Sequence, residues 1–225
     1  MSRKVVALTL TLFDQLTDPG LDSLFWELDP VSRGRLDAEQ ARAQKRAWIG
    51  TVQRDWGSCG RVVTVDNRAV GYLLYAPPAF VPGAASLATA PASPDSVLLT
   101  TAWVQPGYRH GGLGRMLIQG MAKDLVKRGG FSAVEAFASY KPRQHLIPEG
   151  FLGGVGFTTQ RAHPKTPRMR MELRSAIKVR DEVEQALERL AGLLKPARGA
   201  TGGVSRSLNS VRSAERSSGE LPRST

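Results

Sequence analysis

The 225-residue chain has a single cysteine, Cys59. An internal disulfide is therefore excluded, and a reducing compartment is the expected setting. Cys59 sits in "WGSCG", a small-residue turn with no base nearby in the sequence, so it reads as structural rather than as a reactive thiol. Histidine is also scarce. His145 and His163 have no companions at metal-ligand spacing, and no metal site is expected. No run approaches the ~20 apolar residues of a membrane span. The opening "MSRKVVALTLTLFDQL" has the basic start and apolar run of a secretory leader, but threonines interrupt it and no small-residue cleavage site follows. It reads instead as a first strand, Val5 to Phe13, and the expected location is cytoplasmic.

Acidic residues are in deficit. There are 31 Lys and Arg against 20 Asp and Glu, a net charge of +11. Such an excess favours nucleotides, nucleic acid or anionic surfaces as partners and is silent about fold. Part of it lies from Lys195 to Thr225, where six basic residues meet two acidic ones among Ser, Gly and Pro. That segment has too little to bury and reads as disordered from 196 to 225. It lacks the interleaved aromatics of a base-stacking platform, so a nucleic-acid role is not favoured. The preceding stretch, 177–195, reads as a helix whose Val179, Val183, Leu187, Leu190 and Leu194 form an apolar stripe. That stripe must dock on the domain or on a second subunit, so a homodimer is carried as an expectation.

What is present is an alternation of strands and helices. Asp37 with Gln40 makes a capping-box pattern that opens a helix running to about Asp55. "RVVTVDNRAVGYLLYA" breaks at Asp66-Asn67 into a hairpin. A Pro-, Ala- and Ser-rich loop follows, then "SVLLTTAWV", a buried strand. "FSAVEAFA" is another strand, "IPEGFLGGVGF" a short glycine-weakened helix or turn, and "RMRMELR" a strand with Met169, Met171 and Leu173 on one face. "PGLDSLFWEL" is a further short helix, whose Glu27 and Asp29 could either line a substrate entrance or sit solvated on a helix surface.

Between the buried strand and the next lies "VQPGYRHGGLGRMLIQGMAKDLVKRGG". Its second half is helical, with Leu113, Met116, Leu117, Met121 and Leu125 on one face and Gly129-Gly130 ending it. Its first half crowds glycines around Arg109, His110 and Arg115. A strand, a glycine-rich turn and a basic helix start suit a phosphate group. The helix N-terminus supplies free N–H groups and a positive dipole end, and glycines allow close backbone approach. There is no Gly-Lys-Ser/Thr, which excludes a P-loop, and "GLGRML" lacks the third glycine of the dinucleotide fingerprint.

Arg109-His110-Gly111-Gly112-Leu113-Gly114, preceded by Val104-x-Pro106, resembles the acyl-CoA-binding motif of the GNAT superfamily of N-acetyltransferases, Arg/Gln-x-x-Gly-x-Gly/Ala. The resemblance implies a GNAT fold over residues 5–176: an α/β architecture with a central mixed, twisted β-sheet flanked by helices. It implies acetyl-CoA as co-substrate, a primary amine of unknown identity as acceptor (small molecule or protein), and no metal. Val104 would offer backbone to the pantetheine arm, and the turn from Arg109 through His110, Gly111, Gly112, Leu113 and Gly114 to Arg115 would hold the pyrophosphate. "LLTTAWV" and "AVEAFA" would splay apart around the thioester. The family's acid, a Tyr four residues before the closing Gly-Phe, is replaced by Leu152, and the nearby Asn is absent. Tyr140 is the nearest phenol and is carried as a candidate acid. Glu135, a lone carboxylate in the second strand, is either a proton relay for the acceptor or a structural salt bridge. The missing Tyr and Asn leave a second class open, a CoA-binding module without catalysis.

Overall fold

The computed structural model describes residues 1–33 and 37–173. The helix expected over 177–195 and the tail over 196–225 lie outside them. The chain forms β1 (Arg3–Ala7), α1 (Leu10–Asp14), α2 (Pro30–Arg33), α3 (Ala38–Asp55), β2 (Gly60–Val65), β3 (Arg68–Ala76), β4 (Ser96–Val104), α4 (Leu113–Arg128), β5 (Ala133–Ser139), β6 (Ile147–Pro148), α5 (Glu149–Gly154), β7 (Thr158–Arg161) and β8 (Arg168–Glu172). The strands make one sheet in the order β1-β2-β3-β4-β5-β8-β7, with β6 paired to β5. β4 and β5 run parallel, as do β5 and β6, and every other pairing is antiparallel.

Local chemistry explains most of these elements. Asp37 and Gln40 complete a reciprocal capping box at the start of α3. Asp66 and Asn67 both take positive φ, the conformation that a two-residue turn between β2 and β3 needs. The expected strand from Val5 to Phe13 is corrected: β1 stops at Ala7, because Thr9 Oγ1 accepts the Leu12 N–H and caps α1. The expected helix in "PGLDSLFWEL" shrinks to a single 3-10 turn, Pro19–Asp22, capped by Asp18. β7 was not anticipated; all four of its residues are exposed, and it carries no burial alternation to read.

A hydrophobic cluster lies on each face of the sheet. On one, Leu113, Leu117, Met121 and Leu125 of α4 meet Val63, Leu73, Tyr75, Leu99, Val134 and Ala136. On the other, Ile49 and Val52 of α3 meet Phe13, Leu21, Trp26, Val62, Tyr72, Leu74 and Phe137. The loop between β3 and β4 packs on this second side. Phe80 O accepts from Trp48 Nε1 at 2.8 Å, and Thr89 O from an Arg168 guanidinium nitrogen at 2.9 Å.

The apolar face of α3 contains a lysine. Lys45 is buried, and its Nζ donates to Glu27 Oε1 at 2.7 Å. Glu27 is buried as well, so neither charge is solvated and each depends on the other. Lys45→Met should strand the Glu27 carboxylate and cost about 3–5 kcal/mol, whereas Lys45→Met combined with Glu27→Leu should recover most of that loss. Urea unfolding of the two variants checks it; equal loss in both would contradict the pairing argument.

Candidate active site

β4 and β5 pair only at Ser96 with Ala133, Val97 with Val134 and Leu98 with Glu135. Beyond Leu98 they part. On its other side β4 stays bonded to β3 as far as Val104, with a register shift that leaves Thr100 as an extra residue. Such a bulge bends and twists a strand, here at the point of separation. Ile147 and Pro148 of β6 border the gap from the β5 side. Two cavities flank it, and both are walled by Ala102, Trp103 and Ile147.

The first cavity measures about 600 Å³ and lies on the α4 side, reaching Val104, Arg109, His110, Gly112 to Arg115, Phe151 and Val155. α4 begins differently from α3. Its N-cap is Gly112, at φ 79° and ψ 0°; no side chain caps it and no acid lies in its first turn. The positive end of its dipole therefore faces the cavity without a protein counter-charge. His110 also takes positive φ, and a Cβ built on Gly112 meets nothing within 4 Å. Gly114 serves a different need: a Cβ there would come within 2.7 Å of Phe151 Cε2, so this glycine lets α5 pack against α4.

The two arginines brace this loop. Arg109 Nε donates to Val104 O at 2.9 Å, tying the turn to the end of β4. An Arg115 guanidinium nitrogen donates to Gly154 O at 2.7 Å, tying α4 to α5. Both side chains remain exposed, and each has further N–H groups to offer an anion. A third arginine, absent from the sequence reading, reaches the same turn: Arg3 of β1 donates to Gly111 O at 2.9 Å.

The second cavity measures about 320 Å³ and lies on the α3 side. Asp18, Ser23, Phe25, Trp26, Lys45, Thr100, Thr101 and His145 are among its walls. Asp18 is buried, accepting from Tyr72 O–H at 2.7 Å and from Gly20 N–H at 2.8 Å. Of the two acids suggested for a substrate entrance, Glu27 is the buried partner of Lys45. Asp29 instead caps α2, taking the N–H groups of Val31 and Ser32 and the Ser32 hydroxyl; the Ser32 bonds hold its carboxyl below the usual range.

The two candidate catalytic groups fall outside both cavities. Glu135 is 0 % exposed and is held by Arg168 at 3.1 Å, Arg170 at 3.3 Å and the Ser93 N–H at 3.1 Å. Two guanidinium groups from β8 neutralise it, and the loop before β4 covers it. This geometry is that of the structural salt bridge, not of a relay facing the gap. Tyr140 lies just past the end of β5 and is 56 % exposed, away from either cavity wall. Leu152 is buried in the α4-side core. Cys59 is buried, and burial pushes its thiol up to about 12, which leaves it protonated and unreactive. Among the described residues no group of three or more His, Cys, Asp or Glu is placed to hold a metal ion, and no helix is long and apolar enough to cross a membrane.

The model of the acetyltransferase (GNAT) family matches residues 20–148, more than half of the chain. The chain belongs to the GNAT family and has its fold, a mixed, twisted open sheet flanked by helices. Among solved structures, the PaiA N-acetyltransferase of Thermoplasma acidophilum, in complex with coenzyme A, aligns with TM-score 0.52 at 15% identity, covering 76% of this chain and 99% of that one. The GNAT family N-acetyltransferase YhbS of Escherichia coli, also in complex with CoA, aligns with TM-score 0.44 at 17% identity over 76% and 81%. The ribosomal-protein-S18-alanine N-acetyltransferase of Escherichia coli aligns with TM-score 0.44 at 12% identity over 76% and 94%. No curated protein matches the chain significantly.

Glu135→Gln should lower stability by on the order of 3 kcal/mol, because it takes the buried counter-charge from Arg168, whereas Arg170 keeps Asp95 and Glu172. Chemical denaturation measures this. An unchanged unfolding midpoint would contradict the structural assignment.

Proposed function

We propose that this chain transfers an acetyl group from acetyl-CoA to a primary amine. The observation that carries this reading is the bare N-terminus of α4, opening on the larger cavity at the place where β4 leaves β5. The residues fit a pyrophosphate-bearing thioester. The N–H groups that begin α4 face the cavity, Gly112 leaves the space above them clear, and Arg109 and Arg115 flank them. His110, Gly111, Leu113 and Gly114 complete the turn. The β4 edge from Leu99 to Val104 has no β5 partner, so backbone groups along it, other than the Val104 carbonyl that already accepts from Arg109, would be open to the polar pantetheine arm near Val104.

Bound acetyl-CoA supplies the acetyl group as an activated thioester. The chain supplies the rest. Backbone N–H groups along the splayed edge of β4 would face the oxygen that gains charge when the amine adds, an arrangement in which fixed dipoles need no reorganisation. The turn at the start of α4 would fix the position of the pyrophosphate end. Arg109 and Arg115 brace the turn through Val104 O and Gly154 O, and their remaining N–H groups would be available to phosphate oxygens.

Replacing the two glycines separately tests this. Gly112→Trp fills the open space over the helix start and should weaken acetyl-CoA binding by about tenfold or more; because Gly112 sits at φ 79°, the change also costs some stability, so affinity is measured on the folded protein. Gly114→Ala presses on Phe151 and should lower the melting temperature. Calorimetry and thermal melts on both variants separate the roles. Wild-type protein with no measurable affinity for acetyl-CoA or CoA would overturn the proposal.

A further inference from the structure

The second cavity is lined by chemistry that the acetyl-CoA site does not use. Its walls combine a buried carboxylate, Asp18, with an imidazole, His145, among the aromatic rings of Phe25, Trp26 and Trp103. It shares Ala102, Trp103 and Ile147 with the first cavity, so a group bound in it stands at the other side of the same gap. A hydrophobic wall beside a carboxylate suits an alkylammonium, whose charge needs a counter-ion and whose carbons need apolar contact.

His145 is held in place with unusual care for a loop residue. It adopts φ 69°, in the left-handed region that non-glycine residues seldom occupy. Its ring stacks on Phe25, with centroids 4.9 Å apart and planes 11° from parallel. Its Nε2 lies 3.4 Å from Ser23 Oγ, which lines the same cavity. The charged groups packed around it are Lys45 from α3 with its partner Glu27, Arg33 from α2, whose guanidinium sits 4.6 Å from the Phe25 centroid, and Asp18 on the cavity wall. Burial first, then the charges of Lys45 and Arg33, hold the imidazole below its usual pKa of 6.5. At neutral pH the ring is therefore uncharged and can accept a proton.

We propose that the second cavity is the acceptor site, taking a primary alkylammonium against Asp18, and that His145 is the catalytic base that removes its proton. This rests on the acetyl-transfer reading above. The ammonium arrives as R–NH₃⁺ and gives one proton to the free ring nitrogen of His145. The resulting R–NH₂ adds to the thioester carbonyl, so an N–C bond forms. When the C–S bond breaks, the thiolate takes a second proton from the acceptor's own nitrogen, which leaves the neutral amide. Amide and free thiol leave, and imidazolium returns its proton to water. Leu152 offers no proton at this step, and none is required of it. The task left to the chain is the first deprotonation, because an alkylammonium with a pKa near 10.4 is almost wholly unreactive at pH 7.

The test uses the full chain, acetyl-CoA and a panel of amines: 2-phenylethylamine, tryptamine, spermidine and Nα-acetyl-lysine methyl ester. Released thiol gives turnover, and NMR of the three imidazoles, assigned by His145→Gln, gives the pKa of His145 directly. The expected results are a His145 pKa below 6.5 and a kcat/KM that falls as pH drops through that measured value. His145→Gln should lose turnover about 10²–10⁴-fold and lose that pH limb, with acetyl-CoA affinity unchanged. Added imidazole should partly restore His145→Gly. Full turnover in His145→Gln, or a wild-type pH limb unrelated to the measured pKa, would overturn the role of His145 alone. Should the variants fail to fold, agreement between the wild-type limb and the NMR pKa still decides. Wild-type protein that binds acetyl-CoA but acetylates none of the amines overturns the transfer reading and the base together.

Discussion

The arrangement depends on how briefly β4 and β5 stay paired. Three residue pairs hold them, from Ser96 with Ala133 to Leu98 with Glu135, and then the ladder stops. An unpaired strand edge inside a protein is costly unless its N–H and C=O groups find other partners. Here the register shift at Thr100 turns β4 away, and β6 takes up the far end of β5. The gap that results gives both cavities their common wall. The salt bridge that Glu135 makes to Arg168 and Arg170 belongs to the same junction. It sits at the last paired position and locks β5 to β8 just where β5 loses its other neighbour. The carboxylate thereby steadies the hinge of the opening without facing into it.

The two long helices show how the sequence assigns different work to similar elements. α3 closes its own start with a capping box and places Glu39 in the first turn, so its orphan N–H groups and its dipole are satisfied internally. α4 has no capping side chain and no early acid, yet it ends with Lys127 and Arg128 against the negative end of its dipole. Its C-terminal turn is further fixed by Asp124, which pairs with Arg61 and Arg128 and accepts from Tyr75 O–H. A helix so firmly held at one end and so bare at the other presents a fixed positive end to an anion. The arginines of the turn contribute by gripping backbone carbonyls first, which costs them none of their charge.

Local signals in the sequence were legible and long-range ones were not. The hairpin at Asp66-Asn67, the box at Asp37 and Gln40, and the glycine turn before α4 each reside in a few consecutive residues whose conformational needs are plain. The end of β1 was missed because Thr9 acts as a cap within an apolar run that looks continuous. β7 was missed because an edge strand exposed at every position has no period. Glu135 stood out as a lone acid in a core strand, but its partners sit on β8, where Arg168 and Arg170 look like the solvated side of an alternating strand. The Lys45–Glu27 pair and the neighbourhood of His145 join segments far apart in the chain. Ser23 and His145 are separated by 122 positions, and nothing at either end signals the other. The glycine turn and the start of α4 were therefore readable from one continuous stretch, whereas the second cavity exists only once the sheet has formed.

Titrating the ¹⁵N-labelled full chain with acetyl-CoA, and following backbone amides, tests the central claim most directly. The largest shifts are expected on residues 104 and 109–115 and on the β4 edge beyond Leu98, with α3 and its capping box unmoved. Shifts that spare the start of α4, or that centre on any other basic surface, would contradict it.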